Sequence, residues 1–160
     1  MQARLTGAVL GAVLCLASAT AVAQVPQYGP NITNEQAKKA AAAAVAEATK
    51  NGWPVAVAIV DNAGMLVYYE RADNTQTASV QVSIDKAVSA AMYRRPTKAF
   101  QDLVAGGGAG TRALNLRNAS TVEGGLPIVA GGKILGGIGV SGVTSEQDGQ
   151  VAKAGADSMK

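Results

Sequence analysis

One stretch constrains this chain more than any other: residues 123–148, E-G-G-L-P-I-V-A-G-G-K-I-L-G-G-I-G-V-S-G-V-T-S-E-Q-D. Two short apolar runs, Leu126–Val129 and Ile134–Val140, read as strands joined by a tight turn at Gly131-Gly132. Such a turn needs positive φ, which glycine adopts without a Cβ clash. The second strand carries Gly136, Gly137 and Gly139, so a packed helix or a ligand must approach its backbone closely. Thr144 then opens a helix, with Gln147 three residues on to complete a capping box.

Upstream, the same signals repeat. Thr33-Asn34-Glu35-Gln36 is a second capping box, before an alanine-rich helix from Ala37 to about Lys50 that ends at Asn51-Gly52. Val55–Val60 suits a strand with both faces covered. Asp61-Asn62-Ala63-Gly64 is a turn, and Met65–Arg71 returns as a strand with Leu66, Tyr68 and Glu70 alternating against Val67 and Tyr69. A helix starts at Thr77 or Ser79 and places Val80, Ile84, Ala87, Val88 and Ala91 on one face. Arg94 and Arg95 fall in its last turn, Pro96 stops it, and Thr97–Val104 forms a short further helix. Gly106–Gly110 is a flexible loop leading into an irregular stretch over Thr111–Ser120. Two hairpins separated by helices predict an α+β domain: a small antiparallel sheet with helices packed on it. Exposed sheet edges and a small core favour oligomers.

The first 23 residues read as a secretory signal peptide. Arg4 supplies the n-region, Leu5 to about Ala19 the apolar core, and Ala21-Val22-Ala23 the cleavage site. Leu14 before Cys15 argues against lipid attachment. The expected organisation is therefore a signal over 1–23, an extended lead-in over 24–32 with room to be mobile, and one domain over 33–160. Such a chain is periplasmic or secreted, with no membrane anchor after the signal is removed. Cys15 is the only cysteine and there is no histidine, so the mature chain offers no thiolate and no imidazole for catalysis or metal ligation. Lys and Arg total 14 against 11 acidic residues; without a clustered basic face, no nucleic-acid partner is expected.

Gly137–Gly142 fits G-x-G-x-x-G at a strand-to-helix junction, yet 160 residues leave no room for the following parallel strand and acidic residue of a dinucleotide site. Gly106–Gly110 lacks the Gly-Lys-Ser/Thr of a phosphate loop. Asp61 and Asp73 read as turn residues, and no calcium spacing joins them to Asp85 and Asp148. Ser83 and Lys86 share a helix face at S-x-x-K spacing, which a solvated face explains best. Met92, Tyr93, Arg94, Arg95 and Thr97 gather at the Pro96 corner. Arginines recognise carboxylates while Tyr and Met make soft, flat contacts, which suits an anionic, planar, largely apolar ligand. A helix end with dipole-matching cations explains the same residues equally well.

The segments V-A-I-V-D-N-A-G-M-L-V, K-A-V-S-A-A-M-Y-R-R-P-T and G-G-L-P-I-V-A-G-G-K-I-L-G-G-I-G-V-S-G, with Asp148 downstream, resemble the GlcG/HbpS-like haem-binding family, which includes the C-terminal domain of PduO-type proteins. The likeness spans Ile32 to about Ala156. It implies an α+β subunit in a ring-like or octameric homo-oligomer, with haem as cofactor in some members, bound weakly at subunit contacts. One secreted branch acts beside a redox-sensing two-component system. Carried over by residue, the R-R-P-T motif implies haem contacts at Arg94, Arg95 and Thr97, with Lys86 and Tyr93 a helix face away. Threonine is an unusual iron ligand, and without histidine Tyr93, Met92 or an external ligand must substitute; the metal ligand stays open. The expected function is exported, non-catalytic haem binding for storage, scavenging or sensing. The alternatives are an enzyme or accessory subunit using Arg95, Lys86 and Asp61 on a small carboxylated metabolite, or an oligomeric scaffold for a protein partner.

Overall fold

The computed structural model describes residues 25–160, so the signal-peptide expectation lies outside the described residues. In chain order the elements are β1 (Gln27–Tyr28), α1 (Asn34–Asn51), β2 (Ala56–Asp61), β3 (Leu66–Arg71), α2 (Ser79–Tyr93) and α3 (Lys98–Ala105). A 3₁₀ segment (Gly108–Asn115), β4 (Gly125–Ala130), β5 (Lys133–Ser141) and α4 (Ser145–Asp157) follow. This is the mixed α+β architecture the pattern predicts.

The two hairpins lie side by side. β5 pairs antiparallel with β4 and with β2, and β2 pairs antiparallel with β3. The sheet is not wholly antiparallel, however, because β1 pairs parallel with the start of β5, Gln27 opposite Lys133. The lead-in is therefore anchored: Gly29 and Ile32 donate their N–H groups to Ile134 O and Leu135 O at 2.8 Å, and Ile32 is buried. Those bonds reach far along the chain from a segment with no apolar periodicity, so the sequence pattern carries no trace of them.

Local chemistry closes the elements as expected. Both capping boxes form, Thr33 with Gln36 and Thr144 with Gln147. Gly131 and Gly132 take positive φ in the β4–β5 turn. In the β2–β3 turn, Asp61 Oδ1 accepts from the N–H groups of Ala63 and Met65, both at 2.9 Å. The end of the expected flexible loop and the start of the expected irregular stretch form one 3₁₀ helix, Gly108–Asn115, and Gly110 lets it lie directly on α3: a Cβ there would come within 2.0 Å of Leu103 O.

Helices α1 and α4 cover one face of the sheet through Ala37, Ala40, Ala41, Ala44, Val57, Ile59, Ile138, Val140 and Val151. The other face meets α2 through a much smaller cluster of Ala58, Val60, Ala87 and Ala91. What approaches the glycines of β5 is this helix: a Cβ on Gly137 would fall 2.4 Å from Ala87 O, and one on Gly139 2.0 Å from Ser83 O. The G-x-G-x-x-G run is thus a helix-packing surface. The buried stripe of α2 is also rotated from the predicted one. Ser79, Ser83, Lys86, Ala87 and Ala90 are fully buried, while Val80, Ile84 and Val88 are half-buried. Small residues win the sheet-facing positions because a bare strand backbone leaves little room above it.

Candidate functional site

The Pro96 corner is built by three elements meeting end to end. Helix α2 stops at Tyr93, and Arg94 takes the left-handed conformation at φ 54°, so neither arginine lies in the helix as expected. A non-glycine residue held there is a mark of a constrained corner. The Arg94 guanidinium lies 5.4 Å from the ring centre of Tyr28, whose hydroxyl donates to Met92 O at 2.9 Å. Arg95 turns the other way, its guanidinium 5.5 Å from the Phe100 ring centre and its Nε donating to Tyr93 O at 3.3 Å. Tyr93 packs edge-on against Phe100 and donates its hydroxyl to Arg117 O at 2.6 Å. Met92 is 43 % exposed, with its sulfur 3.7 Å from Asn118 Nδ2.

Thr97 and Lys86 point inward instead. Thr97 is fully buried, and it grips Gly125 twice: its N–H donates to Gly125 O at 3.0 Å, and its Oγ1 accepts from Gly125 N–H at 2.9 Å. Lys86 does not sit on a solvated helix face. Its side chain is 1 % exposed, and Nζ donates to Asp148 Oδ2 at 2.8 Å and to Val140 O at 2.9 Å. Helix α2 approaches the sheet so closely that the one long residue on its buried stripe has a single exit, past Gly124. A Cβ on Gly124 would lie 2.7 Å from Nζ. Asp148 Oδ1 accepts from Val143 N–H at 3.2 Å. Burial pushes the Asp148 carboxyl up from its ordinary value, against the pull of Lys86 and of the backbone N–H groups around it.

The site residues therefore fall into two sets. Arg94, Arg95, Met92 and Tyr93 face outward or along the surface; Thr97 and Lys86 hold the corner from within. Lys86, Arg95 and Asp61 are not brought together as an enzyme acting on a small acid would need. Asp61 lies opposite Gly136, four residues along β5 from the Val140 carbonyl that Lys86 reaches, a separation of about 13 Å at strand spacing. Asp61 is also committed to its own turn. Among the described residues, no group of three or more Asp, Glu, Cys or His could hold a metal ion. Sequence reasoning missed Phe100, the shared platform for Tyr93 and Arg95, and the pairing of Lys86 with Asp148. The spacing of Ser79, Ser83 and Lys86, four and three apart, marks one helix face but carries no signal for a partner 62 residues away.

Comparison with known proteins agrees with this architecture. Residues 32–157 match the family described as haem degrading protein HbpS-like. GlcG of Escherichia coli K12 is 38 % identical over 110 residues, covering 69 % of this chain and 81 % of that protein. The crystal structure of a double mutant of Streptomyces reticuli HbpS superposes with a TM-score of 0.75 at 29 % identity, covering 99 % of each chain. A PduOC–haem complex superposes with a TM-score of 0.72 at 26 % identity, covering 81 % of this chain and 96 % of that one. On sequence and on fold alike, this chain belongs to the HbpS-like family.

Proposed function

We propose that this protein is an exported haem-binding protein that stores, scavenges or presents haem, with its ligand at the Pro96 corner and its working form a homo-oligomer. The observation that carries the reading is the outward set at that corner. Arg94 and Arg95 lie against aromatic rings, and neither has a carboxylate within ion-pair distance among the described residues. Beside them the Met92 side chain is partly exposed. A flat, largely apolar, anionic group fits this donor set: Arg94 and Arg95 would offer positive charge on the two sides of the corner, the aromatic and methionine side chains contact with the ring. Membership in a family named for haem, and the haem complex of the PduOC neighbour, support the choice of ligand. In this reading Thr97 and Lys86 shape the corner through Gly125 and Asp148. Bound haem would supply the iron; this chain would supply anchoring, orientation and partial exclusion of water.

Haem titration of the 24–160 chain, followed by absorbance, tests it. A saturable Soret shift at micromolar haem, weakened roughly tenfold by Arg95→Ala, is the expected result. A flat response overturns the reading. A Soret band that forms and then decays under a reductant or peroxide would turn binding into turnover, the activity in the family's description.

A further inference from the structure

A cleft of about 360 Å³ lies beyond the Pro96 corner, between α3 and the 3₁₀ segment, lined by Arg95, Phe100, Leu103, Gly110, Arg112 and Leu116 among others. Its floor is the Phe100 ring, 2 % exposed, with the buried methyl of Ala113; its walls are Leu103 and Leu116, both exposed. The cleft exists because Gly110 seats the 3₁₀ segment on Leu103, which brings Arg112 onto the same opening as Arg95. The lining is nearly all apolar carbon, and Arg95 and Arg112 are its two charged residues. Neither has a carboxylate within ion-pair distance among the described residues, and the Arg112 side chain donates no hydrogen bond there. Arginines left without anions beside exposed leucines are arranged for a ligand that brings both an apolar body and negative charge.

We propose that this cleft is a binding site for an amphipathic carboxylate, with Arg95 and Arg112 clamping the carboxylates while Phe100, Leu103 and Leu116 cover the apolar body. The volume lies at the small end of ligand pockets, so the cleft holds the charged edge and adjoining carbons of a large ligand or most of a small one. The proposal deepens the haem reading and rests on it only for the ligand's identity. Arg112, which neither the R-R-P-T motif nor the corner includes, becomes the residue that fixes affinity.

Iron-free protoporphyrin IX, its dimethyl ester and dodecanoate are the probes, each titrated into the 24–160 chain. Protoporphyrin IX binds saturably, Arg112→Gln weakens it roughly tenfold, and the dimethyl ester binds at least as poorly as the free acid binds to that variant. Leu116→Ser weakens all the apolar probes, and Lys38→Gln on α1 leaves every titration as in the parent. Dodecanoate competing with protoporphyrin IX, with the same sensitivity to Arg112, identifies the source as acyl carboxylates in general; porphyrin binding alone identifies tetrapyrroles. Equal binding of acid and ester, or no change in Arg112→Gln, overturns the clamp. So does an Arg112→Gln variant that changes the oligomer in sedimentation while binding stays constant, since the cleft is then a subunit contact. Haem binding intact in Arg112→Gln refutes the clamp and leaves the haem function standing. Clamped porphyrin with no haem response does the reverse.

Discussion

The two faces of the sheet are made on different principles. Toward α1 and α4 the strands present Val57, Ile59, Ile138 and Val140, and the helices answer with alanines and Val151 in a wide apolar cluster. Toward α2 the same strands present Ala58, Gly137 and Gly139, and the helix answers with Ser79, Ser83 and Ala87. The first face is held by apolar area removed from water. The second has little such area to bury and is held by close backbone approach and by one buried ion pair. Lys86 leaves α2, passes the end of the sheet between Gly124 and Val140, and meets Asp148 on α4 in the opposite layer. The thin face is thereby tied to the thick one. It also carries the candidate site, since α2 ends at the Pro96 corner.

Breaking the tie gives the largest expected effect. Lys86→Met leaves the Asp148 carboxylate buried without its cation, a situation that costs about 3–5 kcal/mol in comparable pairs. Urea unfolding should show a loss of that size, and Lys86→Met/Asp148→Leu should recover much of it because no lone charge remains. A double variant as unstable as the sum of both singles would mean the two side chains are not energetically coupled and the tie between the layers is broken as an idea. A catalytic role would show as lost turnover in a variant whose fold and stability survive, which the burial of Lys86 argues against.

The next effect separates the faces by packing. Gly139→Ala drives a methyl against Ser83 O, a backbone atom that cannot rotate away, so the helix must lift, at about 1–3 kcal/mol. Ile138→Val, one residue earlier and on the thick face, removes a single methylene and costs about 1 kcal/mol. Haem titration of both variants sharpens the comparison. Lifting α2 should disturb the Pro96 corner, whereas thinning the α1–α4 core should not. Equal losses of haem affinity in the two would unlink the corner from the glycine strand.

How much of this was legible in the residues follows from range. Thr33 with Gln36, Asp61 in its turn, and Gly131-Gly132 each act within four positions, and each does in the fold what its neighbours in sequence require. The alternation Val55-Ala56-Val57-Ala58-Ile59 even records the thick and thin faces, in side-chain size rather than polarity, and a hydrophobic pattern alone passes over it. At the site, the outward arginines were legible as a cluster, while their divergence was not, because the positive φ of Arg94 is a tertiary decision. Lys86 was misplaced for a related reason. Charge predicts exposure unless a partner waits 62 residues away, and nothing in S-x-x-K announces one. The parallel pairing of Gln27–Tyr28 with β5 is made by backbone groups, and the side chains that pin the segment, Tyr28 on Met92 O and buried Ile32, follow no period.

The smallest effect tests the sign of the buried charge. Burial raises Asp148 above its ordinary 3.8, so the folded chain takes up this proton more readily than the unfolded one. The group's contribution to stability is then complete below 3.8 and lost as pH rises through the raised value. Asp157, near the end of the same helix, has the opposite linkage. Lys153 and then Lys160 hold its carboxyl below 3.8, so its contribution is present above that value and lost as pH falls through the lowered one. Because Asp157 is partly exposed, solvent screening keeps its share small. Urea midpoints measured from pH 7 down to pH 4 should therefore show the parent gaining on Asp148→Asn as acid is added. Asp157→Asn should keep a constant offset over that range and lose it only below. A parent that instead loses ground to Asp148→Asn on acidification would mean that Lys86 outweighs burial at Asp148, and that the thin face is held by net attraction rather than by the cost of separating two buried charges.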